Sequence, residues 1–155
     1  MQVDKEYWKS EFVYPFCPNE ENVDVFRKHK LNGSTLLLGC TKKLIKISDY
    51  QMDIDPWYEA DTVIKADWRE NNIFYDNIIS DGALNLDRKL TQDVLRMAFV
   101  CSNRFVVRYF NYKLPGMKIA NCFIEPESME FSPDVVIRRQ EYSFLVWNFN
   151  AKTWF

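Results

Sequence analysis

Four short β-type runs, each stopping on a small or acidic residue, constrain this chain most. They are Thr35–Cys40, Tyr50–Asp53, Thr62–Asp67 and Tyr75–Asp81. Their ends read Gly39-Cys40-Thr41, Asp53-Ile54-Asp55, Asp67-Trp68 and Ser80-Asp81-Gly82. The first run is continuously apolar up to Gly39, as a strand buried on both faces of a parallel sheet should be. In an open parallel α/β sheet, ligands bind just beyond the carboxyl ends of the strands. Polar residues gathered at those ends describe a crevice for a cofactor.

The spacing between the runs restricts the connections. Only residues 41–49 separate the first run from the second, and 54–61 the second from the third. A parallel crossover usually takes a dozen or more residues. Either the crossovers are pared down to one or two helical turns, around Lys42–Ile47 and Trp57–Glu59, or some pairing is not parallel. Elsewhere the helical signals are fuller. Asn19 is a good N-cap for a helix over Glu20–Lys30, with Glu20 and Glu21 at its positive end. Asn32-Gly33 closes it. Asp87 precedes a helix on which Leu90, Val94, Met97 or Ala98, and Cys101 recur at helical spacing, ended by Asn103. Arg104–Phe110 is the fifth strand, Leu114-Pro115-Gly116 a turn, and Met117–Ile124 a short helix before Glu125-Pro126. Asp134–Arg139 and Ser143–Asn148 form an antiparallel pair.

Length and composition bound the function. At 155 residues and 47% apolar, the chain has the size of one domain with a sizeable core. Its formal charge of −2 argues against a dedicated nucleic-acid binder, since phosphate contacts need a basic footprint. The four cysteines, Cys17, Cys40, Cys101 and Cys122, show no CxxC spacing, and His29 is the single histidine. No metal site follows from them. No apolar run approaches the roughly 20 residues that span a membrane. The expected setting is reducing and cytoplasmic.

The order of these pieces resembles the class I S-adenosylmethionine-dependent methyltransferases. The resemblance rests on Leu36-Leu37-Leu38-Gly39-Cys40-Thr41, on Asp67-Trp68, on Asp81-Gly82-Ala83-Leu84 and on Arg108-Tyr109-Phe110. It implies an α/β Rossmann-like three-layer sandwich: a mostly parallel sheet with a C-terminal antiparallel hairpin and shortened crossovers. It also implies a single domain over residues 1–155, with an N-terminal helical segment at 1–33 and the core at 34–155. The cofactor it implies is S-adenosylmethionine. Gly39, Cys40 and Thr41 match the turn beside its methionine moiety. Asp53, with Asp55 as a rival, matches the acid on the ribose hydroxyls. Asp67 matches the acid on the adenine amino group, and Trp68 either covers the ring or packs. Ser80 and Asp81 match the motif beside the reactive methyl. Asp81 and Tyr109 are the candidates for a base.

The chain departs from the family where a second glycine usually follows Gly39; Cys40-Thr41-Lys42-Lys43 stands there instead. Each acid also has a structural reading as a turn former, Asp81-Gly82 is a type I′ turn signal, and Arg108 is read as a tether for a carboxylate. The expected activity is in-line methyl transfer to a small molecule, for there is no Asn-Pro-Pro-Tyr or Pro-Cys after the fourth strand. The alternative is a non-catalytic S-adenosylmethionine-binding or interaction module with a reduced fold. Trp147, Trp154 and Phe155 are expected to bury against the sheet or a partner subunit, which admits a homo-oligomer.

Overall fold

A computed structural model describes residues 18–85, 87–111 and 123–149. Their elements run α1 (Glu20–His29), β1 (Thr35–Leu38), α2 (Lys42–Ile45), β2 (Tyr50–Asp53), β3 (Val63–Lys65) and β4 (Tyr75–Asp81). There follow α3 (Arg88–Cys101), β5 (Ser102–Phe110), β6 (Val135–Arg138) and β7 (Tyr142–Asn148), with short 3-10 turns at Trp68–Glu70, Ala83–Asn85 and Pro126–Ser128. One sheet holds all seven strands in the order β3-β2-β1-β4-β5-β7-β6. β1 to β5 are mutually parallel, and β7 runs antiparallel between β5 and β6.

The short crossovers are therefore real, and the pairing stays parallel across them. Four helical residues suffice between β1 and β2, and residues 57–59 between β2 and β3 form no helix. Among the described residues, only α3 is a long crossover helix within the parallel part. β1 gives way at Gly39, whose φ of +103° lies in a region that L side chains rarely adopt. The turn at Leu114-Pro115-Gly116, most of the helix expected over Met117–Ile124, the N-terminal aromatics and the terminal Trp154 and Phe155 lie outside the described residues.

Strand alternation sorts the core into two layers. Leu37, Ile79, Val106, Phe144 and Val146 pack with Val23 and Phe26 of α1 and Leu44 of α2. Leu36, Leu38, Met52, Ile78, Phe105, Val107, Tyr109, Leu145 and Trp147 face the opposite way, onto Leu90, Val94, Leu95, Met97, Ala98 and Cys101 of α3. Both long helices have side-chain caps. The Asn19 side chain accepts the Asn22 N–H at 2.8 Å, the Asn22 side chain accepts the Asn19 N–H at 3.0 Å, and Asp87 accepts the Leu90 N–H at 3.1 Å. Among the described residues no helix is long and apolar enough to cross a membrane.

Candidate cofactor crevice

The sheet register brings the polar strand ends to one edge. Leu38 pairs with Met52 and Ser80, and Asp53 pairs with Lys65. Gly39 then turns out of the sheet while its N–H donates to the Met52 carbonyl at 2.8 Å. That bond puts Asp53, the next residue on β2, beside the Gly39-Cys40-Thr41 turn. The same Met52 carbonyl accepts the Trp68 indole N–H at 2.6 Å. A Cβ added at Gly39 would meet Trp68 Cζ2 at 3.9 Å, so the indole edge walls the turn without crowding it.

Thr41 opens α2, and its carbonyl accepts the N–H groups of Leu44 and Ile45 at 2.9 and 3.2 Å; its hydroxyl makes no capping bond. Cys40 is buried, and its carbonyl accepts the Trp57 indole N–H at 2.7 Å. Burial, reinforced by the charge of Asp53, pushes the Cys40 thiol up to about 12, against a hydrogen bond with Tyr58. The Asp53 carboxylate is half-buried and accepts the Asp55 backbone N–H at 2.9 Å. That Asx turn fixes the Asp53 side chain against the backbone that leaves β2.

Asp67 caps the short turn after β3. It accepts the Arg69 N–H at 2.9 Å, and its two oxygens take Nε and Nη2 of the Arg69 guanidinium at 3.0 and 2.6 Å. Those hydrogen bonds hold its carboxyl below the usual Asp value, against a smaller opposing effect of burial.

The end of β4 divides between the two faces. Ser80 is buried and donates its hydroxyl to the Leu38 carbonyl at 3.0 Å, tying β4 to β1. Asp81 turns to the α1 face, where Arg108, directly opposite it on β5, grips both oxygens. Arg108 also donates to Asn22 Oδ1 at 3.2 Å and lies over the rings of Phe110 and Tyr142, 4.9 and 5.0 Å from their centroids. Asn22 in turn donates to the Tyr142 hydroxyl at 2.9 Å. Burial raises the Asp81 carboxyl, while the Arg108 hydrogen bonds and charge act to lower it. Tyr109, one residue along β5, faces the other layer. Its hydroxyl donates to the Ile124 carbonyl at 3.1 Å and accepts the Ile124 N–H at 2.6 Å.

Gly39, Cys40, Thr41, Asp53 and Trp68 thus gather about one turn, with Asp67 at the neighbouring strand end. Asp81 and Tyr109 do not meet: the sheet separates them, and each is engaged by its own partners. Sequence reasoning missed the indole bonds of Trp57 and Trp68 and the place of Asn22. The aromatic content signalled packing, and nothing local marks which carbonyl a tryptophan will reach. Among the described residues no group of three His, Cys, Asp or Glu side chains is placed to hold a metal ion.

By sequence, the chain matches no protein-family model and no curated protein. By fold it is similar to magnesium protoporphyrin IX methyltransferase from Synechocystis PCC 6803 with bound SAM, at 12% identity and a TM-score of 0.57 over 94% of this chain and 97% of that one. The DhpI–SAH complex aligns at 13% identity and a TM-score of 0.61, covering 91% of this chain and 88% of the other. The glycopeptide N-methyltransferase MtfA aligns at 10% identity and a TM-score of 0.53, covering 94% and 98%. The fold of this chain is that of the class I S-adenosylmethionine-dependent methyltransferases, hairpin included.

Proposed function

We propose that this chain binds S-adenosylmethionine in the crevice and transfers its methyl group to a small molecule. The observation that carries the reading is the Gly39 N–H bond to the Met52 carbonyl, which sets the glycine turn and the acid at the end of β2 side by side. Gly39 lets backbone approach a ligand closely, with Cys40 and Thr41 beside the methionine moiety. Asp53 would accept the ribose hydroxyls. Asp67 would take an adenine amino group in exchange for one of the four contacts that Arg69 makes to its two oxygens, the longest being Arg69 Nε to Oδ2 at 3.3 Å. Trp68 forms the wall between these points. Ser80 and Asp81 shape the end of β4, Asp81 through its ion pair.

When bound, the cofactor supplies an electrophilic methyl on a sulfonium, already joined to a good leaving group. The chain's own residues then supply proximity and alignment, worth up to roughly 7–11 kcal/mol in well-oriented systems. Asp81 and Tyr109 are both held within the fold, which favours an acceptor atom that is nucleophilic as it arrives. The same observation favours a second reading, a binding module without turnover.

Titration calorimetry and thermal melting with S-adenosylmethionine and S-adenosylhomocysteine test the proposal. Binding raises the melting temperature by mass action. No heat and no shift at millimolar ligand would refute it. Binding without methyl transfer to a panel of amine, thiol and carboxylate acceptors would favour the module.

A further inference from the structure

Resting on the cofactor reading above, we infer that Trp57 is the positioning residue that stands in for the missing second glycine of the β1–α2 turn. After Gly39 the chain carries Cys40 and Thr41, whose side chains deny the turn the backbone freedom of glycine. Both residues keep negative φ, Thr41 at −62°, so the Cys40–Thr41 peptide has an ordinary extended geometry whose direction a side-chain contact can fix. The Trp57 indole N–H donates to the Cys40 carbonyl at 2.7 Å. In a planar trans peptide the carbonyl and the following N–H point in opposite directions. Fixing the Cys40 oxygen toward Trp57 therefore aims the Thr41 N–H away from it, at the place where the reading puts the amino-acid end of the ligand.

The ring is held for this task. Trp57 packs on Tyr58 with centroids 4.6 Å apart, and the Tyr58 hydroxyl donates to Gln51 Oε1 at 2.7 Å. Gln51, buried on β2, also receives the Thr62 hydroxyl at 2.8 Å and donates to Ser48 Oγ at 2.9 Å. Yet Trp57 itself is 55% exposed. A large aromatic left this open contributes little to the core, while its one polar atom is directed inward onto a backbone carbonyl. That division fits a residue kept for its donor.

The test compares two probes. S-adenosylhomocysteine carries the amino-acid end, whereas 5′-methylthioadenosine keeps the adenosine and the thioether sulfur without it. Trp57→Phe preserves a ring beside Tyr58 and removes the N–H. The expected result is an S-adenosylhomocysteine Kd raised about five- to tenfold, the scale of one lost hydrogen bond, with the 5′-methylthioadenosine Kd unchanged. An unchanged Kd for both probes overturns the inference. So does an equal loss of both, by misfolding or by lost stacking, which assigns Trp57 to the scaffold alone. Failure of the unsubstituted protein to bind either probe instead refutes the cofactor reading.

Discussion

Arg108 grips Asp81 bidentately beneath α1, Nε to Oδ1 at 2.5 Å and Nη2 to Oδ2 at 2.9 Å, with the two side chains 6% and 0% exposed. Removing one member of such a pair strands the other charge away from water. Asp81→Asn should therefore lower unfolding free energy by about 3–5 kcal/mol. Urea denaturation measures it; a loss below about 1 kcal/mol would mean that the pair is not closed in solution.

Asp53 and Asp55 can be separated. The bond that orients Asp53 uses the backbone N–H of Asp55, which survives truncation of the Asp55 side chain. Asp53→Ala should weaken S-adenosylhomocysteine binding about tenfold or more, on the scale of hydrogen bonds to a charged group, and Asp55→Ala should leave it unchanged. Equal losses by calorimetry would move the ribose contact to Asp55.

Gly39→Ala isolates backbone strain. There is room for the methyl, 3.9 Å from Trp68, but a φ of +103° suits no L side chain. The expected cost is about 1–3 kcal/mol, read from the denaturation midpoint, without any steric clash to relieve.

With its pKa pushed up to about 12, Cys40 should resist alkylation near pH 8 in the native protein and react readily in urea. Peptide mapping after iodoacetamide treatment distinguishes the two. Ready labelling of native Cys40 would contradict the burial of the turn.

The depressed carboxyl of Asp67 gives a pH dependence of known sign. Its ion pair with Arg69 contributes fully above the unfolded Asp value, and that contribution is lost as pH falls through the lower folded value. Arg69→Ala should return the Asp67 pKa, followed by carboxyl NMR, upward toward the ordinary Asp range. Because the guanidinium is 41% exposed, salt should screen part of the effect.

Much of this arrangement was legible in the chain. Tyr50–Asp53 and Tyr75–Asp81 are strands over the expected spans, each opening on a tyrosine and stopping on an aspartate. The first strand ends at Leu38, because Gly39 leaves the sheet at positive φ, and the third shrinks to Val63–Lys65 at the sheet edge. The reading of Arg108 as a carboxylate tether identified a pairing that the parallel register of β4 and β5 enforces. The tether's other contacts were not legible: Asn22 and Tyr142 come from positions 86 residues before Arg108 and 34 after it, which no local pattern connects. Asp81 and Tyr109 were the candidates for a base, but Asp81 on β4 sits opposite Arg108, and alternation along β5 sends Tyr109, the next residue, to the other layer.

The Met52 carbonyl has a mechanical consequence. One oxygen receives both the Gly39 amide and the Trp68 indole, so the exits of β1, β2 and β3 share a single anchorage. With so few residues in the connections, little slack lies between that anchorage and the turns. Loosening any of the three exits releases the other two. The three strand exits should thus loosen or tighten as one piece, and a ligand held by Asp53 should stiffen the Gly39 turn through the Met52 carbonyl.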